Sequence, residues 1–324
     1  MDEVDGRILA RLRAGAWVSG AALGEELGLS RVAVGKRVAG LKRAGFDITA
    51  ARRRGYHLVG EPDRLLPEVV QPRLTTARFG RTLRYLAECG STNDEAAAWA
   101  RAGAPEGAVV VAERQTAGRG RAGRAWFSPP GESLYCSLVL RPPVPPAAVP
   151  PLTLCAGIAI HEALGALGAR PDLKWPNDVL LDGKKVCGIL TEMSSDVERV
   201  HYVILGLGLN VNGRAFPAAL ADRATSLRLS RGPDAPPPAR AAVLAEVLRR
   251  LEVWHDRFAA EGGAMVAREF APRSSQLGRP VRVQLGDDVI AGVAAGLDTD
   301  GALLVARPSG ATVRVIAGEV LLWD

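Results

Sequence analysis

Cysteine and histidine are scarce in this chain, and neither is placed for a metal. Among 324 residues there are four of each. Cys89, Cys136, Cys155 and Cys187 show no C-x-x-C spacing, and His57, His161, His201 and His255 are scattered. A structural zinc site and a disulfide framework therefore find no support, and three of the cysteines, lying in apolar stretches, read as small buried thiols. No h-region follows "MDEVDGRILARLRAG", and no apolar run reaches membrane-spanning length. These absences predict a reduced, cytoplasmic protein with no membrane partner and no metal beyond what a nucleotide brings.

What is present is an ordinary globular composition, 48% hydrophobic and 23% charged, on a chain long enough for two or three domains. A net charge of +6 admits a polyanionic partner without locating it. The first sixty residues do locate one. Val4, Ile8 and Leu12 form the apolar stripe of a short helix that stops at Gly15. Ser19 caps a second helix carrying Leu23 and Leu27, with Gly28 past its end. Ser30 caps a third with Val34, Val38 and Leu41 on one face and Lys36, Gly40 and Arg43 on the other. "FDITAARRRGYHLV" then reads as a two-stranded wing whose tip holds Arg52, Arg53 and Arg54. Helix, turn, helix and basic wing together predict a DNA-binding domain. Its candidate contacts are Ser30, Arg31, Lys36, Arg37, Arg43, Arg52, Arg53 and Arg54. "GEPDRLLP", residues 60 to 67, is the expected boundary.

Further on, "LRYLAE" and Val109 to Glu113 read as strands, with an Ala-rich helix from Asn93 to Gly103 between them. "SLYCSLVL" follows as a strand, and Pro150 and Pro151 open a long helix through Leu167. "LKWPNDVLLDGKKVCGILTEM" gives two strand patterns joined at Asp182-Gly183, a hairpin signal. "VHYVILGLGLNV" is a buried strand ending at Asn210, and residues 239 to 261 form an amphipathic helix. Strands linked mostly by hairpins, with a few helices, indicate α+β and not a doubly wound parallel sheet.

The loop "QTAGRGRAGRAWFSPPG" contains G-x-G-x-x-G at Gly118, Gly120 and Gly123. A dinucleotide-binding turn needs a helix directly after the glycines and an acid about 20 residues on. Pro129 and Pro130 forbid that helix, and the following strand ends in "LRPPV" without an acid. An Arg-Gly nucleic-acid tract is disfavoured too, because the loop is short and flanked by buried strands. What remains is a backbone N–H concavity with guanidiniums that pair with phosphate or carboxylate, or else an exposed basic loop with glycines at its turns.

With "STN" at 91 to 93 and "KWPNDVLLDGKKVCGIL" at 174 to 190, this loop closely resembles biotin protein ligases. The order of segments resembles the bifunctional type that also represses biotin-synthesis genes. The resemblance implies three domains: a winged helix-turn-helix at 1–62, a central mixed β-sheet ligase domain with flanking helices at 63–272, and an SH3-like β-barrel at 273–324. It implies two reactions. Biotin's carboxylate attacks the ATP α-phosphate, giving biotinyl-5′-adenylate and pyrophosphate; a lysine of a biotin carboxyl carrier protein then takes the biotinyl group and AMP leaves. Biotin and ATP are the substrates and Mg2+ accompanies the nucleotide. Operator DNA and a homodimer in the adenylate-bound state complete the implied partners.

Carried over by motif, Ser91, Thr92, Asn93 and Gln115 would hold the ureido ring, which offers donors and an acceptor. Arg119, Gly120, Arg121 and Arg124 would wrap the carboxylate and α-phosphate, Trp126 would pack over the closed loop, and Gly188 would let backbone approach the ligand. Lys174 is the expected catalytic lysine with Arg119 and Arg121, although a lysine ending an apolar strand also reads as snorkelling. Asn210 would meet adenine or ribose. Asn177 and Asp178 would organise metal or pyrophosphate, or simply form a turn. Gly90, Ala122, Ala125 and Ala224 depart from residues that relatives carry.

"PVRVQL", "DVIAGVAAGL", "ALLVA" and "TVRVIAGEVLL" suggest four strands of the barrel, with a role in peptide binding, in holding ATP or acceptor, or in structure alone. A lipoate or octanoate ligase of related fold and a ligase without repressor activity are the alternatives. An acyl tail needs an apolar tunnel, so the polar Ser91–Asn93 and Gln115 set favours biotin.

Overall fold

The computed structural model describes residues 1–232 and 234–322. Positions 323 and 324, at the end of the expected barrel, lie outside the described residues. Contacts group the chain into two units, residues 1–72 and residues 73 onward.

In the first unit, α1 (Glu3–Arg13) starts at a capping box in which the Asp2 side chain accepts from the Asp5 N–H and the Asp5 side chain from the Asp2 N–H. Ser19 and Ser30 cap α2 (Gly20–Leu27) and α3 (Arg31–Arg43), as the sequence predicts. Gly28 ends α2 in the left-handed region, where only a residue without Cβ is unstrained. Ile8, Leu9, Leu12, Leu23, Val34, Val38 and Leu41 form the core, joined by Phe46 and Ile48. The wing is the antiparallel pair β1 (Asp47–Ala51) and β2 (Gly55–Gly60), and α4 (Pro67–Val70) follows it.

The second unit is built on one seven-stranded sheet, ordered β3-β4-β5-β9-β8-β7-β6. Its elements run β3 (Leu83–Leu86), α5 (Thr92–Arg101), β4 (Val109–Ala112), β5 (Ser133–Leu140), α6 (Pro151–Ala166), β6 (Pro171–Lys174), β7 (Asp178–Leu181), β8 (Lys184–Ser195), β9 (Val200–Asn210), α7 (Leu227–Ser230) and α8 (Arg240–Phe270). β3 and β4 are parallel and the other pairs antiparallel. Every residue of β5 is buried, because helices or loops cover both faces of the sheet. On one face Ala96 and Ala100 of α5 meet Val110, Val139 and Ile204, and their small side chains let the helix lie close to the strands. On the other face α6 and α8 pack together. The stretch Pro146–Ala166 is long and apolar enough to cross a membrane, but two thirds of it is buried in this core.

Three expectations change. The "LKWPNDVLL" run is two strands, β6 and β7, because Trp175 to Asn177 make a tight turn that sets Lys174 opposite Asp178. The helix expected at 239–261 continues to Phe270 beyond a break at Gly262, whose φ is 72°. The last barrel run is also two strands. The five are β10 (Pro280–Leu285), β11 (Asp288–Leu297), β12 (Leu303–Ala306), β13 (Thr312–Val315) and β14 (Glu319–Leu322), all antiparallel in the order β13-β12-β11-β10-β14. The indole of Trp175, 1% exposed, donates to the Gly301 carbonyl at 2.9 Å, tying the β6–β7 turn to this C-terminal sheet.

Candidate active site

Glycines make the floor of the site. Gly206 and Gly208 lie two residues apart on β9 and so face the same side, and Gly188 of β8 is the register partner of Gly208. A Cβ at Gly206 would strike the Asn93 amide, and one at Gly208 the Trp126 indole. At Gly188 it would come within 2.9 Å of both Trp126 and Lys185. The room these glycines give is taken by Asn93, Trp126 and Lys185, which with the Arg-Gly loop line a cavity of about 470 Å³.

At one end the polar groups are buried and mutually bonded. α5 begins at Thr92, so Ser91, Thr92 and Asn93 arrive over Gly206 at its first turn, each under 5% exposed. Gln115 Oε1 accepts from the Thr92 N–H at 2.8 Å and its hydroxyl at 3.1 Å, while Gln115 Nε2 donates to Ser128 Oγ at 3.2 Å. Ser137, fully buried on β5, lies 2.8 Å from Thr92 Oγ1 and 2.6 Å from Asn93 Oδ1. Asn93 Nδ2 donates to Glu192. The four residues expected to hold a ureido ring are therefore together. Ser128, Ser137 and Glu192 escaped the sequence reading; a lone serine amid "LYC" and "LVL" was the available signal.

The other end carries charge. Arg119 makes a bidentate pair with Asp94 at 2.6 and 2.7 Å, which holds the Asp94 carboxyl below its ordinary 3.8. Arg121 is half-buried and reaches Asn177 Oδ1 at 3.3 Å, with the Gly318 carbonyl at 3.5 Å. Burial pulls its guanidinium below the usual value, and the Arg124 charge adds to this. Arg124 itself pairs with Glu319 of β14 at 2.8 Å. The arginines expected to wrap the carboxylate and α-phosphate are thus each anchored separately, Arg119 on Asp94, Arg121 on Asn177 and Arg124 on Glu319. Trp126 lies beneath the loop and on the floor, and its Nε1, buried, has no partner among the described residues.

Two lysines line the cavity. Lys174 ends the edge strand β6 and is half-buried. Lys185, which the sequence reading passed over, lies under the lid 5.2 Å from the Trp126 ring, with Nζ 2.6 Å from Asp178. Residues 185 and 188 of a regular strand point to opposite faces. The β7–β8 register slips by one between Val179 and Leu180, so Val186 has no counterpart and Lys185 comes round to the face of Gly188. Asn177 donates to the Ile189 carbonyl at 2.8 Å and Asn210 to that of Thr225 at 3.0 Å; both line the cavity. Among the described residues no cluster of three metal-ligating side chains occurs.

In the first unit the expected DNA contacts divide. Arg31, Lys36, Arg43, Arg52 and Arg53 are exposed. Ser30 is engaged as the α3 cap. Arg37 is turned back onto the α1 capping box, pairing with Asp2 and Asp5, so it is withdrawn from the outer face. Arg54 is stacked 4.5 Å over Trp17, which in turn stacks on His57.

A cavity under an arginine-glycine loop, with a bonded polar end and a separate cationic end, suits a small molecule with a polar head and an anionic tail. Residues 89–210 match the biotin/lipoate A/B protein ligase family, residues 277–323 the biotin protein ligase C terminal domain, and residues 7–57 an HTH domain. The chain is 37% identical over 297 residues to the bifunctional ligase/repressor BirA of Bacillus subtilis (strain 168), covering 91% of this chain and 90% of that one. It is 33% identical to the protein of that name in Escherichia coli (strain K12), covering 98% and 96%. The structure of Aquifex aeolicus biotin protein ligase in complex with biotin and ATP superposes with a TM-score of 0.64 at 34% identity, covering 75% of this chain and 99% of that one. The chain belongs to the biotin protein ligase family, among its bifunctional ligase/repressor members.

Proposed function

We propose that the cavity holds biotin with its ureido ring at the Thr92–Gln115–Ser137 end and its carboxylate toward Lys185, with Trp126 shifting off Gly188 and Gly208 to admit it. The chain acts as an ATP-dependent biotin ligase and as a helix-turn-helix repressor. One observation carries it: a side-chain-free floor joins a fully bonded polar end to a lysine- and arginine-lined end, which fits a ligand with a polar head, an apolar middle and a charged tail.

Adenylation brings an anionic carboxylate to an anionic α-phosphate, so fixed cations set the rate. A carboxylate oxygen bonds to the α-phosphorus as the bond to the β-phosphate's bridging oxygen breaks, and pyrophosphate leaves. We give Lys185 the larger share of this task and Lys174 a lesser one, since Lys185 lies against Gly188 and the Trp126 ring whereas Lys174 ends the edge strand β6. Arg121 is the loop arginine with most to gain from an anion, because it is already partly desolvated and lacks a carboxylate hydrogen bond. Arg119, Arg121 and Arg124 exchange their present anchors for the substrate's carboxylate and phosphates as the loop settles. In the second step the acceptor lysine's amine attacks the mixed anhydride and AMP departs.

Magnesium is held with few protein ligands where phosphates supply the rest. Among the described residues Asp178 lines the cavity without a hydrogen bond to an arginine, and its Oδ1 makes an ion pair with Lys185. It fits the role of protein ligand to a nucleotide-bound Mg2+, whose chemistry is to neutralise phosphate charge. The outer edge of β8 beyond Gly188 has no strand against it among the described residues, since β7 covers only residues 184 to 188. That edge supports a two-fold dimer, which a palindromic operator requires.

The test incubates the protein with ATP and either biotin or lipoate, following pyrophosphate release and the mass of a biotin carboxyl carrier domain. Modification with biotin alone is expected. Preference for lipoate would overturn the assignment of the polar end.

A further inference from the structure

We infer that Val32 reads the C5-methyl group of a thymine in the major groove, giving the DNA-binding domain a base preference; this rests on the operator-binding reading. Val32 stands in the first turn of α3 and is 70% exposed. Residues 32, 36, 39 and 43 share one helix face, opposite the buried Val34, Val38 and Leu41. That outer face presents Val32, Lys36, Ala39 and Arg43, all exposed, and α3 carries no acidic residue. Arg31 and Lys42 beside it and Arg52 and Arg53 of the wing are also exposed. An apolar side chain ringed by cations is poorly matched to another protein's apolar patch and well matched to a polyanion with an apolar group on its surface.

The first turn of a recognition helix is where side chains meet base edges. A valine has no donor or acceptor, so it distinguishes bases only by contact, and the single apolar group on the major-groove edge of the four bases is the thymine methyl. Ala39, two turns further on, is small and lets the helix seat closely.

The full chain, supplied with biotin and ATP, is used to select from a randomised duplex library. The enriched duplex is then remade with deoxyuridine replacing each thymine in turn, which removes only the methyl. At one or more positions the wild type should lose about fourfold in affinity, the worth of one buried methyl group. Val32→Ala should bind the thymine and uracil duplexes equally there, while Lys36→Ala should bind both more weakly and keep the difference. Enrichment with no methyl dependence, or a difference that survives Val32→Ala, overturns the inference and leaves operator binding standing. Failure to enrich any sequence overturns both.

Discussion

The two ends of the cavity solve opposite problems with different bonding. At the polar end Thr92, Asn93 and Ser137 are buried, Gln115 is half-buried, and the four are bonded to one another, so their geometry is set before a ligand arrives. At the charged end the ion pairs Arg119–Asp94 and Arg124–Glu319 involve side chains that are 37% to 61% exposed. Pairs of that kind contribute roughly 0–1 kcal/mol and are readily exchanged. The contrast teaches that recognition of the head is rigid, whereas the groups that meet the phosphate are held loosely and re-sorted on binding.

Removing the fixed cation at the charged end should break this picture most severely. Lys185→Ala is expected to lower the rate of biotin-dependent pyrophosphate release by roughly 10²–10³, the scale for losing one preorganised electrostatic group, and Lys174→Ala by less. Equal losses, or a larger one for Lys174, would return the catalytic role to the lysine that the sequence favours. At the rigid end, Thr92→Val keeps shape and removes a buried hydroxyl. Losing such a hydrogen bond costs about 1–3 kcal/mol, so the KM for biotin should rise on the order of tenfold with kcat little changed; a fall in kcat alone would mean that this end is not the binding end.

A subtler effect is expected from the loose groups. Arg121→Gly should leave adenylation within about tenfold, the scale of a single charge-assisted hydrogen bond, but let biotinyl-adenylate escape. The readout is indiscriminate labelling of bystander lysines by mass spectrometry, and unchanged specificity would sink it. The smallest effect concerns pH. Because Arg119 holds the Asp94 carboxyl below its ordinary 3.8, the pair persists as acid is added and is lost only as pH falls through that lowered value. Between pH 5 and 8 the wild type and Asp94→Asn should therefore show parallel pH profiles, the variant offset by a constant small factor. A divergence inside that window would require another titrating group on Arg119.

Much of this was legible in the chain itself. Serines before apolar stripes announced α2 and α3, Pro129 and Pro130 ruled out a helix after the glycines, and the "STN" and "KWPND" segments marked the cavity walls. What escaped depended on long-range register. Lys185 reaches the floor through a bulge, and no local periodicity distinguishes a bulged lysine from one in a regular strand. Ser137 looked like a strand interior because its partners are more than forty residues away. Arg37 read as an outward basic residue because the acids that hold it belong to another helix. The split at Ile316 to Gly318 escaped because "VIAG" carries no turn signal beyond a single glycine, and only the pairing of β14 with β10 separates it from β13.

The Trp175 indole, buried and bonded to Gly301, also limits how this protein can be re-engineered. Cutting the chain before β10 would leave a large ring facing water and its N–H stripped of an acceptor, at the base of the turn that carries Lys174, Asn177 and Asp178. Fusions that graft this catalytic half onto a foreign C-terminal segment inherit that exposed ring. Such chimaeras need a matching carbonyl and a pocket for the indole designed in from the start.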